Sequence, residues 1–152
     1  MTTASALFDA ARGQLAGVPT EGLGQQKRSR WRGERIVRVG SAWHVGVLLI
    51  ADDAVHAVGE VLRAGDPGRR GYAADSARYR AARRLMALRG GFHEGEVVHV
   101  GWVPLDLEAV DAAGPSGPLA LRDGIPSVQW APAGGYQPLE AYLAERIALL
   151  RG

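Results

Sequence analysis

The chain has 152 residues, 47% of them hydrophobic and 22% charged, a balance that suits a globular core and excludes disordered or collagen-like classes. It has no cysteine, so disulfides, thiolate metal sites and cysteine nucleophiles are excluded. No apolar run is long enough to span a bilayer and the first residues lack a secretory pattern, so a single cytoplasmic domain over 1–152, without a membrane partner, is expected.

Net charge is only +2, but it is unevenly distributed. The stretch 27–38, "KRSRWRGERIVR", carries +5 and residues 69–89 carry +6, whereas 90–152 carry −5. Seventeen of the 18 cations are arginine, the codon bias of a GC-rich genome, so an arginine alone is weak evidence of guanidinium chemistry.

In chain order, residues 4–16 read as a helix with Leu7, Phe8, Ala11 and Leu15 on one face. Residues 17–34, rich in Gly, Gln and Arg, read as a mobile basic loop. Three strands are expected at 35–40, 42–50 and 54–62, with Asp52–Asp53 as the turn between the last two. The glycine-rich loop 63–74 leads to a helix capped by Asp75 or Ser76 and running to about Arg89. Ala77, Ala81, Leu85 and Leu88 make its expected buried stripe, with Arg80, Arg83 and Arg84 on the outer face. A fourth strand over 96–103 is read as the parallel partner of the third across this helix. Two short edge strands follow in "LALRDG" and "PSVQWA", and a last helix opens at Pro138, with Leu139, Leu143, Ile147 and Leu150 inward. The expected fold class is α+β, with a mixed, mainly antiparallel sheet of about five or six strands flanked by helices.

Four groups of residues bear on function. "WHVGV" (43–47) and "VHVGW" (98–102) each place a glycine two residues after a histidine, and His56 lies on a third strand. Three imidazoles can hold zinc, but the spacing of His44, His56 and His99 matches no metal signature, and "HEGEVVH" (93–99) is not H-E-x-x-H. The plainer reading is core histidines bonded to carbonyls or carboxylates such as Glu60 or Glu96, so no metal and no cofactor is expected. "GDPGRRG" (65–71), with Arg69 and Arg70 before a helix start, has the parts of an anion site without a P-loop sequence. The helix arginines Arg80, Arg83 and Arg84 form a charged face, and like charges four apart weaken a helix unless something offsets them. Finally, Arg28, Arg30 and Arg32 surround Trp31, the mixture of charge and ring that single-stranded nucleic-acid binders use. No serine has a G-x-S-x-G around it.

The runs "ARYRAARRLMALRGGFHEGEVVHVGW" (77–102) and "LEAYLAERIALL" (139–150) resemble small actinobacterial proteins without an assigned function. The resemblance implies an origin and transfers no site residue. The reading these features favour is a non-enzymatic module for an anionic partner such as nucleic acid. The alternatives are a small-molecule binder or enzyme with a pocket near His44 and His99, and a protein–protein interaction module.

Overall fold

The computed structural model describes residues 2–68 and 74–152. In chain order the elements are α1 (Ala4–Gln14), β1 (Glu21–Ser29), β2 (Gly33–Val45), β3 (Leu48–Ile50), β4 (Val55–Ala57), β5 (Glu60–Arg63), α2 (Asp75–Arg89), β6 (Val97–Val100), β7 (Val103–Pro104), α3 (Leu107–Asp111), β8 (Leu119–Arg122), β9 (Ile125–Gln129), β10 (Tyr136–Pro138) and α4 (Leu139–Arg151). The fold is α+β with a mixed, mainly antiparallel sheet as expected; among the described residues that sheet has seven strands rather than five or six, one pair of them parallel, and a small three-stranded sheet is added. No helix among the described residues is long and apolar enough to cross a membrane.

The chain divides into two compact units. Unit one comprises Met1–Thr20, Trp43–Val58 and Val103–Gly152; unit two comprises Glu21–Ala42 and Gly59–Trp102. Strand β2 therefore starts in unit two and ends in unit one. The division also separates the charge. Unit two holds 14 of the 18 basic residues against 7 acidic ones, a net +7, and unit one holds 4 basic against 9 acidic, a net −5.

In unit one, Phe8, Ala11 and Leu15 of the α1 segment and Leu139, Tyr142, Leu143 and Ile147 of α4 pack with Val45, Leu48, Ile50 and Val55. Leu150, expected inward, is 44% exposed because the inward stripe ends at Ile147. Thr3 caps α1 by accepting a hydrogen bond from the Ala6 amide, and the Asp111 carboxylate accepts from the Ala4 amide and the Ser5 hydroxyl, placing negative charge at the positive end of the helix. A separate sheet has the order β10-β9-β8.

The expected strand 42–50 is a hairpin. Val45 pairs with Leu48, and Gly46, at φ +62°, makes the turn. The Tyr142 hydroxyl fills the space where a side chain at position 46 would sit and accepts a hydrogen bond from the Val47 amide at 2.9 Å. Gly101 likewise has φ +69° and follows the end of β6. The repeated histidine–x–glycine pattern thus marks two strand ends; the space at position 46 is filled by Tyr142, whereas a side chain at position 101 would meet nothing within 4 Å. The expected strand 54–62 is also divided, into β4 and β5, because a side chain at Gly59 would meet the backbone of Val100 and Gly101.

Unit two is a sheet of order β5-β6-β1-β2. Residues 21–29, expected inside a mobile loop, form strand β1: Gly22, Leu23 and Gly24 are buried, and the rest continues as an exposed ribbon paired with β2. Its polarity reflects exposure on both faces. β6 pairs in parallel with β1 and antiparallel with β5, which reverses the expected relation between the strands flanking α2. The β5–β6 pair is closed by the Ala64 amide donating to the Glu96 carbonyl and the Gly95 amide donating to the Ala64 carbonyl. The core is Ile36, Leu62, Ala64, Ala87, Phe92, Val98 and Val100, with Met86 packed on it.

Helix α2 is rotated relative to the expected stripe: Arg83 and Ala87 are its buried residues, and Ala74, not Asp75 or Ser76, is the N-cap. The reason is a close approach at the helix end. A side chain on Gly90 would overlap the Ile36 carbonyl, so the C-terminal end of the helix can come this close only with small residues at that end. Leu85 and Leu88 are too large for that seam and lie half-buried beside it.

Candidate nucleic-acid interface

The basic segment around Trp31 is the tip of the β1–β2 hairpin. Ser29 pairs with Gly33 across a three-residue loop, Arg30–Trp31–Arg32. The Ser29 hydroxyl accepts from the Trp31 amide at 3.3 Å and the Arg32 amide at 3.2 Å, and Gly33 supplies the left-handed backbone, φ +68°, that such a loop needs on its return. These local bonds hold the turn without using the tryptophan ring, and Trp31 is 92% exposed.

The cations around it are not neutralised. Among the described residues no hydrogen bond or ion pair engages the side chains of Lys27, Arg28, Arg30 or Arg32. Lys27 stands directly opposite Arg35 in the ladder, a like-charge pair that weakens the ribbon by roughly 0.2–1 kcal/mol. The Arg35 Nε is shielded and has no hydrogen-bond partner among the described residues. Only Glu34, opposite Arg28, brings an acid to this end of the hairpin, and its carboxylate accepts from Gln26 at 3.4 Å.

The arginines of α2 are less uniform than the sequence implies. Arg80 is exposed and Arg84 half-buried, with its Nε donating to the Arg63 carbonyl at 3.0 Å. Arg83 points inward instead, 6% exposed. Its guanidinium forks onto Glu60, NH2 to Oε1 at 2.8 Å and Nε at 3.2 Å, donates to the Gln26 side chain at 2.5 Å, and lies over the Tyr79 ring. Its pKa is raised, chiefly by the hydrogen bond with Glu60, so it stays charged. Arg83 therefore organises the unit and is unavailable to a ligand. Arg69 and Arg70 lie outside the described residues.

His44 and His99 meet a carbonyl and a carboxylate, the kinds of partner expected, but the carboxylate is Glu21 rather than Glu60 or Glu96. Fully buried His99 pairs with Glu21 at 2.8 Å through Nε2. Glu60 serves Arg83, and Glu96 takes an ion pair from Arg38 and a hydrogen bond from the His93 amide. Burial alone would raise the Glu96 carboxyl, but the bonds from Arg38 and His93 outweigh it and hold it below its ordinary value. In unit one the His44 Nε2 lies 3.0 Å from the Gly46 carbonyl. His44 and His56 flank Leu49 in register, so a fully buried leucine stands between the two imidazole-bearing strands.

His56 is buried on β4, and burial pushes its imidazole below the ordinary 6.5, against a smaller upward pull from Asp53. A base with a depressed folded pKa takes up its proton on unfolding, so its contribution is complete above pH 6.5 and lost as the pH falls below that value. Melting temperature is expected to drop between pH 6.5 and 5, and His56→Gln to flatten that slope relative to the parent. A parallel decline in both proteins would assign it elsewhere.

Sequence reasoning finds Trp31 and its cations, and Tyr79 beside the helix arginines, where its ring lies under Arg83. It misses Glu21 and Gln26, which only strand register brings to His99 and Arg83. No family model matches the chain, and neither curated proteins nor solved structures give a match.

Proposed function

We propose that unit two is a binding module for single-stranded nucleic acid, in a protein of the cytoplasm, with the β1–β2 hairpin as its contact. The observation that carries this reading is Trp31, 92% exposed on a defined turn and flanked by arginines whose side chains have no partner among the described residues. A bare ring on a hydrogen-bonded turn offers a face to a base, and stacking is tolerant of sequence because every base has a π-face. Lys27, Arg28, Arg30, Arg32 and Arg35 supply charge for the phosphates on either side. A phosphate near Lys27 and Arg35 would offset the repulsion between them. The net +7 of unit two draws polyanions to this unit.

The test is fluorescence anisotropy with labelled single- and double-stranded oligonucleotides. Trp31→Ala is expected to weaken single-strand binding roughly 5- to 150-fold, the value of one stacked base, with the melting temperature unchanged. Equal affinity of parent and Trp31→Ala for single strands would remove the stacking role.

A further inference from the structure

Outside the hairpin, unit two has a second surface feature, a cleft beside strand β5. The cleft, of about 480 Å³, is lined by Glu60, Val61, Leu62 and Arg63 of β5 and by Arg80, Arg83 and Arg84 of α2. Four consecutive strand residues in one lining mean that the cleft runs along the strand rather than into one face of the sheet. β5 is the terminal strand of the order β5-β6-β1-β2, so the side away from β6 has no strand neighbour among the described residues.

The register shows which backbone groups face the cleft. The Ala64 amide donates to Glu96 on the β6 side, so by alternation Leu62 and Glu60 also turn their backbone groups towards β6. Val61 and Arg63 then point theirs outward. The Arg84 Nε confirms this independently by reaching the Arg63 carbonyl from the helix side. Among the described residues the Val61 amide, the Val61 carbonyl and the Arg63 amide remain, a donor–acceptor–donor row beside a helix.

The side chains complete the description. Val61 is 48% exposed on this edge. Glu60 is neutralised by Arg83, so the net charge along the cleft comes from Arg63, Arg80 and Arg84. Arg63 also donates to the Gly95 carbonyl at 3.1 Å, which keeps it beside the strand. An edge row of alternating donors and acceptors matches a peptide backbone. A phosphodiester offers acceptors only and leaves the Val61 carbonyl unpaired.

We propose that this cleft takes an extended acidic peptide segment of a partner protein as an added strand on β5, with alternate side chains against Val61 and acidic ones against Arg80 and Arg84. The ladder is short, three backbone groups, so affinity in the micromolar range is expected and the arginines decide specificity.

The experiment is a ¹⁵N–¹H NMR titration of the full chain with a blocked peptide of alternating Glu and Val, the same peptide with Lys for Glu, and an oligothymidylate. The Glu peptide is expected to shift the Val61, Arg63, Arg80 and Arg84 amides, and the Lys peptide to leave them in place. Val61→Pro removes an outward amide that no ladder bond uses, and should abolish binding with the remaining spectrum preserved. Arg80→Glu, at an exposed helix position, provides the second variant and should weaken binding at least about tenfold. The proposal is overturned by an absence of shifts at Val61 and Arg63 with millimolar Glu peptide, by equal response to the Lys peptide, by binding insensitive to Arg80→Glu, or by the oligothymidylate shifting these amides where the peptide does not.

Discussion

Gly90→Ala is expected to cost about 3 kcal/mol or more, because the added carbon would overlap the Ile36 carbonyl and no rotamer change can relieve a clash with backbone. The φ at Gly90, −79°, suits any residue, so the effect is steric alone. To admit the methyl group, α2 must retreat from β2 and open the contacts of Ala87 with Ile36, Leu62 and Val98. For a chain of this size that corresponds to a melting temperature lower by roughly 6–12 °C. Gly13→Ala is the control. Position 13 is helical with nothing within 4 Å, so alanine there should stabilise by up to about 1 kcal/mol. Equal, small effects of the two substitutions would contradict the close approach.

Arg83→Met is the second large expected effect, a loss of about 2–4 kcal/mol in urea unfolding. Methionine keeps the volume over the sheet but leaves Glu60 and Gln26 without their donor. Glu60 is about a third exposed and regains some water, which places the expected loss toward the lower part of the range for broken buried pairs. Arg83→Lys should recover only part, since an ammonium cannot make the fork. Combining Arg83→Met with Glu60→Leu should restore most of the stability, because the cost lies in the orphaned carboxylate. A single variant losing less than 1 kcal/mol, or a double variant worse than the single, would contradict the structural role of Arg83.

Both effects show where the sequence is legible and where it is not. Helices α1 and α4 are readable because their apolar residues recur at helical spacing and bury almost as spaced, with Phe8 and Leu15 or Leu139 and Ile147 on the core side. The α+β class follows from the same periodicities. The phase of α2 is not readable, because its seam is made of Ala87 and Gly90 and its buried arginine is stabilised by Glu60, 23 residues away. Apolar counting favours Leu85 and Leu88, whereas the distance between backbones favours small residues. Strand β1 is hidden for another reason: beyond Gly24 it is an exposed ribbon, and an exposed ribbon has the composition of a loop. The continuous apolar run 42–50 conceals a reversal that only the backbone angle of Gly46 reveals. The basic tip itself, Arg28 to Arg32, is visible in the sequence. What is not visible is that it shares a unit with residues 75–89, because β1 and β6 pair across nearly eighty positions of chain.

The most direct measurement of the nucleic-acid reading is the affinity for a labelled oligothymidylate as a function of salt. Five hairpin cations, each displacing a counterion from a single strand, predict a slope of log K against log salt of roughly −3 to −4, a loss of about 100-fold between 50 and 200 mM. Replacing Arg28, Arg30 and Arg32 together by Gln should bring the slope to about −1.5 with the melting temperature unchanged. No binding at the lowest salt, or a slope that the triple replacement leaves untouched, would contradict the hairpin as the nucleic-acid contact.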